Sequence, residues 1–242
     1  MPPSKLPGRH RTPLIFAILF LGAFAAAGIA LVNGSFGISA RELISALANP
    51  LNRSDDPAAS VVWDLRVPRA VLALLVGAAL ACAGTAMQGL FRNPLADPGL
   101  VGVSSGAALA AVAAIVGAHH LRLPSDWLSL ATPIAAFGGG LVAAMLATQL
   151  AQIDGLTRTA TLLLAGLAIN AIAGAGIGLL TQLANDAALR EVTFWLFGSL
   201  AKSGWHELAI GAPILLTVLF LLPREARALN ALLLGESEAQ HL

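Results

Sequence analysis

Charged residues are scarce in this sequence. Only 11% of the 242 residues are Asp, Glu, Lys or Arg, whereas soluble globular domains carry about 25%. A soluble fold could not cover its surface with so few charges, so the composition excludes a soluble globular protein and indicates that lipid is the solvent. The net charge of +1 provides no basic surface, and we expect no nucleic-acid partner.

Cysteine, tyrosine and catalytic motifs are also rare or absent. Cys82 is the single cysteine, so an internal disulfide is excluded, and Cys spacing typical of metal sites is lacking. The sequence contains no HExxH, GxSxG, Walker A or dinucleotide-binding motif. We therefore expect neither an enzyme nor a resident cofactor or metal. Any ATP that drives this protein would have to bind to another chain.

Long apolar runs account for most of the sequence. Six of them approach the roughly 20 residues that a helix needs to cross the hydrocarbon core of a bilayer. They cover about residues 14–32, 70–90, 100–118, 128–150, 160–182 and 207–222. Pro, Gly, Asn and Asp separate them, as is typical of turns. The predicted fold class is all-α: a polytopic transmembrane helix bundle forming a single domain over residues 1–242.

The N-terminal segment predicts the orientation of the bundle. Residues 1–13 contain Lys5, Arg9 and Arg11 but no acidic residue, which favours a cytoplasmic N-terminus. A cleaved signal peptide is the alternative, but its apolar region is about 7–15 residues long, shorter than run 14–32. Six spans would return the tail, residues 223–242, to the cytoplasm. We expect a multi-pass membrane protein with both ends in the cytoplasm.

Small residues recur in the fifth apolar run. Gly166, Asn170, Gly174 and Gly178 occupy every fourth position, which predicts that they share a helix face. One interpretation is an ordinary seam between helices, because small residues allow close packing in lipid. The other is the wall of a polar path. In either case the carboxamide of Asn170 needs protein or water as a partner.

Two arginines flank Val67-Pro68 at the predicted outer end of the second span. Arg66 and Arg69 could form a fork for the carboxylates of a soluble partner, or could anchor the helix at the membrane interface. His119 and His120 lie in a predicted outer loop. They could contact a metal or haem, but solvated turn residues are the more common interpretation.

Ionisable residues are absent from the middle of the apolar runs. Carriers coupled to protons or sodium usually keep such a residue inside the membrane. The pattern therefore counts against a secondary carrier and indicates that the driving force is applied from outside the bilayer.

Several blocks of this sequence closely resemble the FecCD family, the permeases of ABC importers for iron–siderophore complexes, haem and cobalamin. The most specific block is QGLFRNPLADPGLVGVSSG at residues 88–106. The others are residues 66–77, 162–170, 194–199 and 229–236. They occur in the family's order from about residue 35 onwards.

The resemblance implies roles for particular residues. Arg66 and Arg69 would dock acidic residues of a substrate-binding protein. The path between two permease copies would be lined by Gly166, Asn170 and Gly174. An inner gate would be formed by Thr157, Arg158, Thr159 and Ala160. A cytoplasmic coupling segment would enter a cleft of the ATPase through Leu234, Gly235, Glu236 and Ser237.

The resemblance therefore implies a permease subunit of a binding-protein-dependent importer for iron(III) complexes, siderophore or haem. It would act in the bacterial cytoplasmic (inner) membrane, as a multi-pass homodimer or heterodimer coupled to a separate ATPase. The alternatives are a cobalamin importer and, in another class, a secondary carrier, a channel or a non-transporting membrane fragment. Family members usually have about ten spans, so with its last residue at Leu242 the chain is expected to be truncated at the C-terminus.

Overall fold

The structure is a computed structural model that describes residues 12–49, 56–153, 156–201 and 203–234. The helices are α1 (Thr12–Val32), α2 (Ala40–Ala48), α3 (Pro57–Ser60), α4 (Val67–Phe91), α5 (Val103–His120), α6 (Ser125–Leu150), α7 (Thr159–Leu183), α8 (Asp186–Phe197), α9 (Trp205–Leu221) and α10 (Ala226–Leu234). Strands β1 (Gln152–Ile153) and β2 (Leu156–Thr157) form a short antiparallel hairpin.

Within the described ranges, six helical segments are long and apolar enough to cross a membrane. They are Pro13–Val32, Pro57–Phe91, Val103–His120, Trp127–Leu150, Thr159–Leu183 and Trp205–Leu232. In each segment, at most 22% of the most apolar stretch of 18 residues is buried inside the protein. Large apolar surfaces therefore face outwards, as is expected of helices that are surrounded by lipid. The predicted all-α polytopic fold with six spans is confirmed.

The second span starts earlier than its apolar run suggests. The helix is continuous over 35 residues, from Pro57 to Phe91, although we predicted a start near residue 70. A π-helical segment, Val61–Arg66, joins α3 to α4, and the Val67 N–H bonds to the Val62 carbonyl five residues back. Because this wide turn lies just ahead of Pro68, which has no N–H to donate, the helix passes the proline without ending.

The first of two compact units comprises Met1–Leu80 and Leu200–Leu221. In its described part, α2, α3 and the π-helical segment pack beside the end of α1. Their core is a small apolar cluster of Ile38, Leu43, Ala46, Ala58, Ala59 and Val62. The Trp63 indole N–H donates to the Ala46 carbonyl at 2.8 Å. This contact fixes α2 against the π-helical segment.

A capping box starts α2. The Glu42 N–H donates to the Ser39 hydroxyl at 3.3 Å, and the Ser39 hydroxyl and N–H each donate to the Glu42 carboxylate at 2.7 Å. These hydrogen bonds, first the one from the hydroxyl and then the one from the N–H, lower the pKa of Glu42. The box satisfies helix N–H groups that would otherwise lack partners.

The second unit comprises Ala81–Ser199 and Leu222–Leu242. In its described part α5 is central, packed against α6, α7 and α8. The α5–α6 backbones approach closely at Gly106 and Gly139: a Cβ on Gly106 would lie 2.8 Å from the Gly139 carbonyl oxygen. Small residues allow this contact, which stabilises helix pairs in lipid where no hydrophobic driving force operates.

Candidate functional site

A closely packed polar contact of the second unit lies between α7 and the turn that precedes α5. The Asn170 amide donates to the Gly99 carbonyl at 3.2 Å, and its oxygen accepts from the Ser105 hydroxyl at 2.5 Å. Gly166, one turn earlier, lies directly against the backbone of Leu100 and Val101. Asn170 therefore has protein partners, as the sequence required. Ser105 as one of them was not predicted.

The turn held by Asn170 is a 3₁₀ helix, Pro98–Val101. The Asp97 carboxylate caps it by accepting the Gly99 N–H at 2.7 Å. Gly102 ends it at φ +86°, a conformation that favours glycine. A Cβ on Gly102 would also meet the Ile169 side chain at 2.7 Å. Both the backbone conformation and the space at this position therefore require glycine.

The glycines of α7 do not all share one environment. Gly166 is buried and Asn170 half-buried, whereas Gly174 and Gly178 are exposed, with open space around an added Cβ. Four residues turn an α-helix by about 400°, so positions spaced by four drift about 40° per step. Over 12 residues this amounts to a rotation of about 120° around the helix axis, so the later glycines no longer face the 3₁₀ turn and α5. The exposed Gly174 thus lies on a different face from Gly166.

Arg66 has a specific set of partners in the first unit. Its guanidinium donates to the carbonyls of Leu31 at 2.5 Å and Val32 at 2.7 Å, and also to that of Phe36. Only 8% of the residue is exposed. Leu31 and Val32 end α1, where the last carbonyls lack helical partners. Arg66 therefore caps α1 from a neighbouring helix, and a Cβ on Gly34 would collide with it.

Arg69 is engaged in a similar way but remains more accessible. Its Nε donates to the Ser203 carbonyl at 3.3 Å, and Nη2 donates to the Ala201 carbonyl. The residue is half-buried. These bonds join the start of α4 to the segment that precedes α9. Neither arginine projects freely as a carboxylate fork, and for both the docking role stays a prediction.

The four predicted gate residues form one continuous bend. Thr157 belongs to β2 and pairs with Gln152 of β1. Arg158 precedes α7, and its N–H bonds to the Ala151 carbonyl at 3.0 Å. Thr159 and Ala160 are the first residues of α7. The bend connects α6 to α7, the helix that carries Asn170.

The predicted coupling residues lie at the end of the described chain. Leu234 is the last residue of α10. Gly235, Glu236 and Ser237 lie outside the described residues.

His119 is not simply a solvated turn residue. It lies in the last turn of α5, and its Nε2 is 3.1 Å from the Glu191 carboxylate of α8. Sequence reasoning did not find this pair, because 72 residues separate the two positions. The pair joins α5 to α8 beside the cluster formed by Val112, Ile115 and Val192.

Among the described residues, the candidate site consists of helix caps, close contacts between small residues, and the polar contact of Asn170 with the 3₁₀ turn. Comparison with known protein families shows to which family the chain belongs. The model of the FecCD transport family matches residues 15–242. The chain belongs to the FecCD transport family. The predicted resemblance is thereby confirmed.

Two curated relatives are similar to this chain. The hemin transport system permease protein HmuU of Yersinia pestis is 43% identical over 192 residues, which cover 79% of this chain and 57% of the relative. The cobalamin import system permease protein BtuC of Halobacterium salinarum is 41% identical over 209 residues, 86% of this chain and 54% of the relative. The chain therefore spans little more than half the length of these relatives.

A solved structure supports the same fold. An inward-facing, metal-chelate type ABC transporter superposes with a TM-score of 0.74 and 30% sequence identity, over 95% of this chain and 67% of that chain. Together with the six spans, these similarities place this FecCD protein in the inner membrane as a multi-pass protein.

Proposed function

We propose that this FecCD chain forms part of the permease of a binding-protein-dependent ABC importer. The observation that carries the proposal is the family match over residues 15–242. Two permease copies would enclose the path, and an ATPase of another chain would supply the energy. The scarcity of charge within the spans is consistent with this arrangement, because the work is done outside the bilayer.

We propose an iron(III) complex, siderophore or haem, as the substrate. The support is the 43% identity to the hemin permease. Cobalamin is the second candidate, supported by the 41% identity to an archaeal cobalamin permease. Both are bulky chelates, and a permease that receives them from a binding protein needs a wide path more than a tight site.

The contacts of the two arginines refine the docking proposal. Arg66 donates to three backbone carbonyls and is nearly buried, whereas Arg69 is half-buried and donates to two. Arg69 is therefore better placed to meet a carboxylate of the binding protein. Arg66 would hold the end of α1 in the shape that the partner recognises.

We further propose that gate and path are mechanically linked. Thr157, Arg158, Thr159 and Ala160 would move as the bend between the hairpin and α7. Gly166 and Asn170 would transmit that movement to the 3₁₀ turn, and Gly174, on the exposed part of α7, would face the second copy. Leu234, Gly235, Glu236 and Ser237 would contact the ATPase.

Transport in cells tests the assignment. A bacterial strain lacking its own FecCD permease would express this chain with its ATPase and binding protein, and uptake of radiolabelled iron–siderophore, haem and cobalamin would be compared. We expect uptake of an iron complex that is lost when the ATPase is catalytically inactive. Uptake of cobalamin alone would replace the substrate assignment. Uptake that persists without ATP hydrolysis would contradict the ABC importer.

Docking has a separate test with a matched control. Arg69→Glu should weaken binding of the purified substrate-binding protein about tenfold or more, the effect of losing a charge-assisted contact and adding a like charge. Arg122→Glu, at an exposed arginine of the loop after α5, should leave affinity unchanged. Equal affinity for the wild type and the Arg69 variant would exclude Arg69 from the docking surface.

A further inference from the structure

A polar cleft lies in the second unit where α4 ends and α10 begins. Its volume is about 480 Å³. The lining residues come from the last turns of α4, from the turn that follows and from α10: Thr85, Gln88, Gly89, Arg92, Asn93, Pro94, Ala226, Leu229 and Asn230. α10 comes close to α4 here, since a Cβ on Gly89 would lie 3.8 Å from a Leu229 methyl. The described lining contains none of the predicted docking, path, gate or coupling residues, although α10 ends at the coupling residue Leu234.

The polar groups that line this cleft are mainly hydrogen-bond donors. Arg92 contributes a guanidinium, and Gln88 and Asn230 contribute carboxamides. Asn93 uses its side-chain oxygen to accept the Leu95 N–H at 2.9 Å, so its NH₂ group remains as the donor. None of the described residues that line the cleft carries a carboxylate. One permanent positive charge with several donors, and no negative charge, suits an anion.

The position of the cleft indicates which kind of anion. Two membrane spans, Pro57–Phe91 and Trp205–Leu232, end beside it, so the cleft lies at the depth of lipid headgroups. They are the second and the sixth span. With a cytoplasmic N-terminus, both of these spans end on the cytoplasmic side, so the cleft lies on the predicted cytoplasmic side. Arg227 on α10 is exposed and adds positive charge to the same segment. Basic pockets between helices at the cytoplasmic face are suited to anionic headgroups.

We propose that this cleft binds a phosphate ester, with Arg92 as the anchoring charge and the amides of Gln88, Asn93 and Asn230 as further donors. The phosphodiester of an anionic phospholipid and a soluble phosphate monoester share this chemistry. The lipid fits the location better, because its acyl chains can follow the apolar surface of α4. The site is independent of the proposed transport function.

A matched pair of variants isolates the charge of Arg92. Arg92 and Arg122 are the two non-glycine residues with positive φ in the described chain, at +49° and +53°. Asparagine tolerates this conformation well, so Arg92→Asn and Arg122→Asn each remove a charge without adding backbone strain. Both arginines are exposed, and we expect the two variants to unfold at the same temperature as the wild type in detergent.

Native mass spectrometry of the detergent-purified full chain measures the binding. Phosphatidylglycerol, phosphatidylcholine and glycerol 3-phosphate would be titrated separately. We expect phosphatidylglycerol to bind more tightly than phosphatidylcholine, and Arg92→Asn to weaken that binding about tenfold or more, the value of a charged hydrogen bond. Arg122→Asn should bind phosphatidylglycerol as the wild type does. Gln88→Leu should weaken binding by a smaller factor.

The remaining outcomes also decide the question. If glycerol 3-phosphate binds as tightly as the lipid and with the same dependence on Arg92, the site is confirmed and its ligand is a soluble phosphate ester. If Arg92→Asn retains the wild-type affinity for phosphatidylglycerol, or if both arginine variants lose it equally, the proposed site is wrong. Equal binding of phosphatidylcholine and phosphatidylglycerol would also overturn it, because the anionic charge would then contribute nothing.

Discussion

Replacing Gly166 by alanine tests the seam between α7 and the 3₁₀ turn. A Cβ at this position would lie 2.8 Å from the Val101 Cα and 2.9 Å from the Leu100 carbonyl carbon, with the Leu100 oxygen closer still. These neighbours are backbone atoms, so no side-chain rotation relieves the collision. The turn itself has to move, although Asp97 and Asn170 hold it on both sides.

The expected cost follows from the nature of the collision. Overpacking a well-packed interior costs about 1–3 kcal/mol, and occasionally more. Because backbone has to shift here, we expect about 3 kcal/mol, at the upper end of that range. For a chain of this size, 1 kcal/mol lowers the unfolding midpoint by about 2–4 °C. Gly166→Ala should therefore lower the midpoint by about 6–12 °C.

The same helix provides the control. An alanine Cβ at Gly174 or Gly178 would meet no atom within 4 Å, and alanine has the higher helix propensity by about 1 kcal/mol. Gly174→Ala and Gly178→Ala should therefore leave the midpoint unchanged or raise it slightly. The three variants change the sequence in the same way and differ only in what surrounds the new methyl group.

Tryptophan fluorescence during thermal unfolding in detergent is a suitable assay. Of the four tryptophans, Trp127 and Trp195 belong to the second unit. Trp195 packs against the cluster around α5 and α8, so replacing the two tryptophans of the first unit by phenylalanine makes the emission report on the second unit. If Gly166→Ala unfolds within about 2 °C of the wild type, a shift of about 0.5–1 kcal/mol instead of about 3, the close approach to Leu100 is wrong. A large loss in Gly174→Ala would show that this residue is covered in the protein as it exists in detergent.

Three further predictions concern polar contacts. Arg66→Gln should destabilise the protein by at least about 1.5–3 kcal/mol, the value of one hydrogen bond from a charged group, in thermal unfolding; an unchanged midpoint would contradict its capping of α1. Asn170→Leu should cost about 1–3 kcal/mol, because it leaves the Gly99 carbonyl without its amide partner; wild-type stability would refute the contact. Ser39→Ala should lower the stability of the protein at neutral pH. The difference from the wild type should shrink as the pH falls through the lowered pKa of Glu42, because the stability that the ionised carboxylate contributes is lost when it is protonated. A difference independent of pH would exclude the carboxylate from the cap.

Local sequence information was sufficient to predict the six spans and to identify the family. An apolar run of about 20 residues has few alternatives to a membrane helix, and the 88–106 block identified the family before any contact was known. Helix ends were less predictable. The second span begins at Pro57 because a π-helical turn carries the helix past Pro68, and hydropathy does not report such a turn.

The sequence by itself determined which segments lie in lipid and which lie in water, because composition decides whether a helix is apolar enough for lipid. A polar side chain in such a helix must then have a hydrogen-bonding partner. The sequence did not determine which partner. The docking role of Arg66 stays a prediction, but its contacts with the end of α1, 34 and 35 residues away, were not predicted. Asn170 meets Gly99 across 71 positions. These pairings depend on which helix faces approach one another. Residues four apart in α7 are rotated by about 40° around the helix axis at each step. Only the packed structure therefore shows which of them face the 3₁₀ turn and α5.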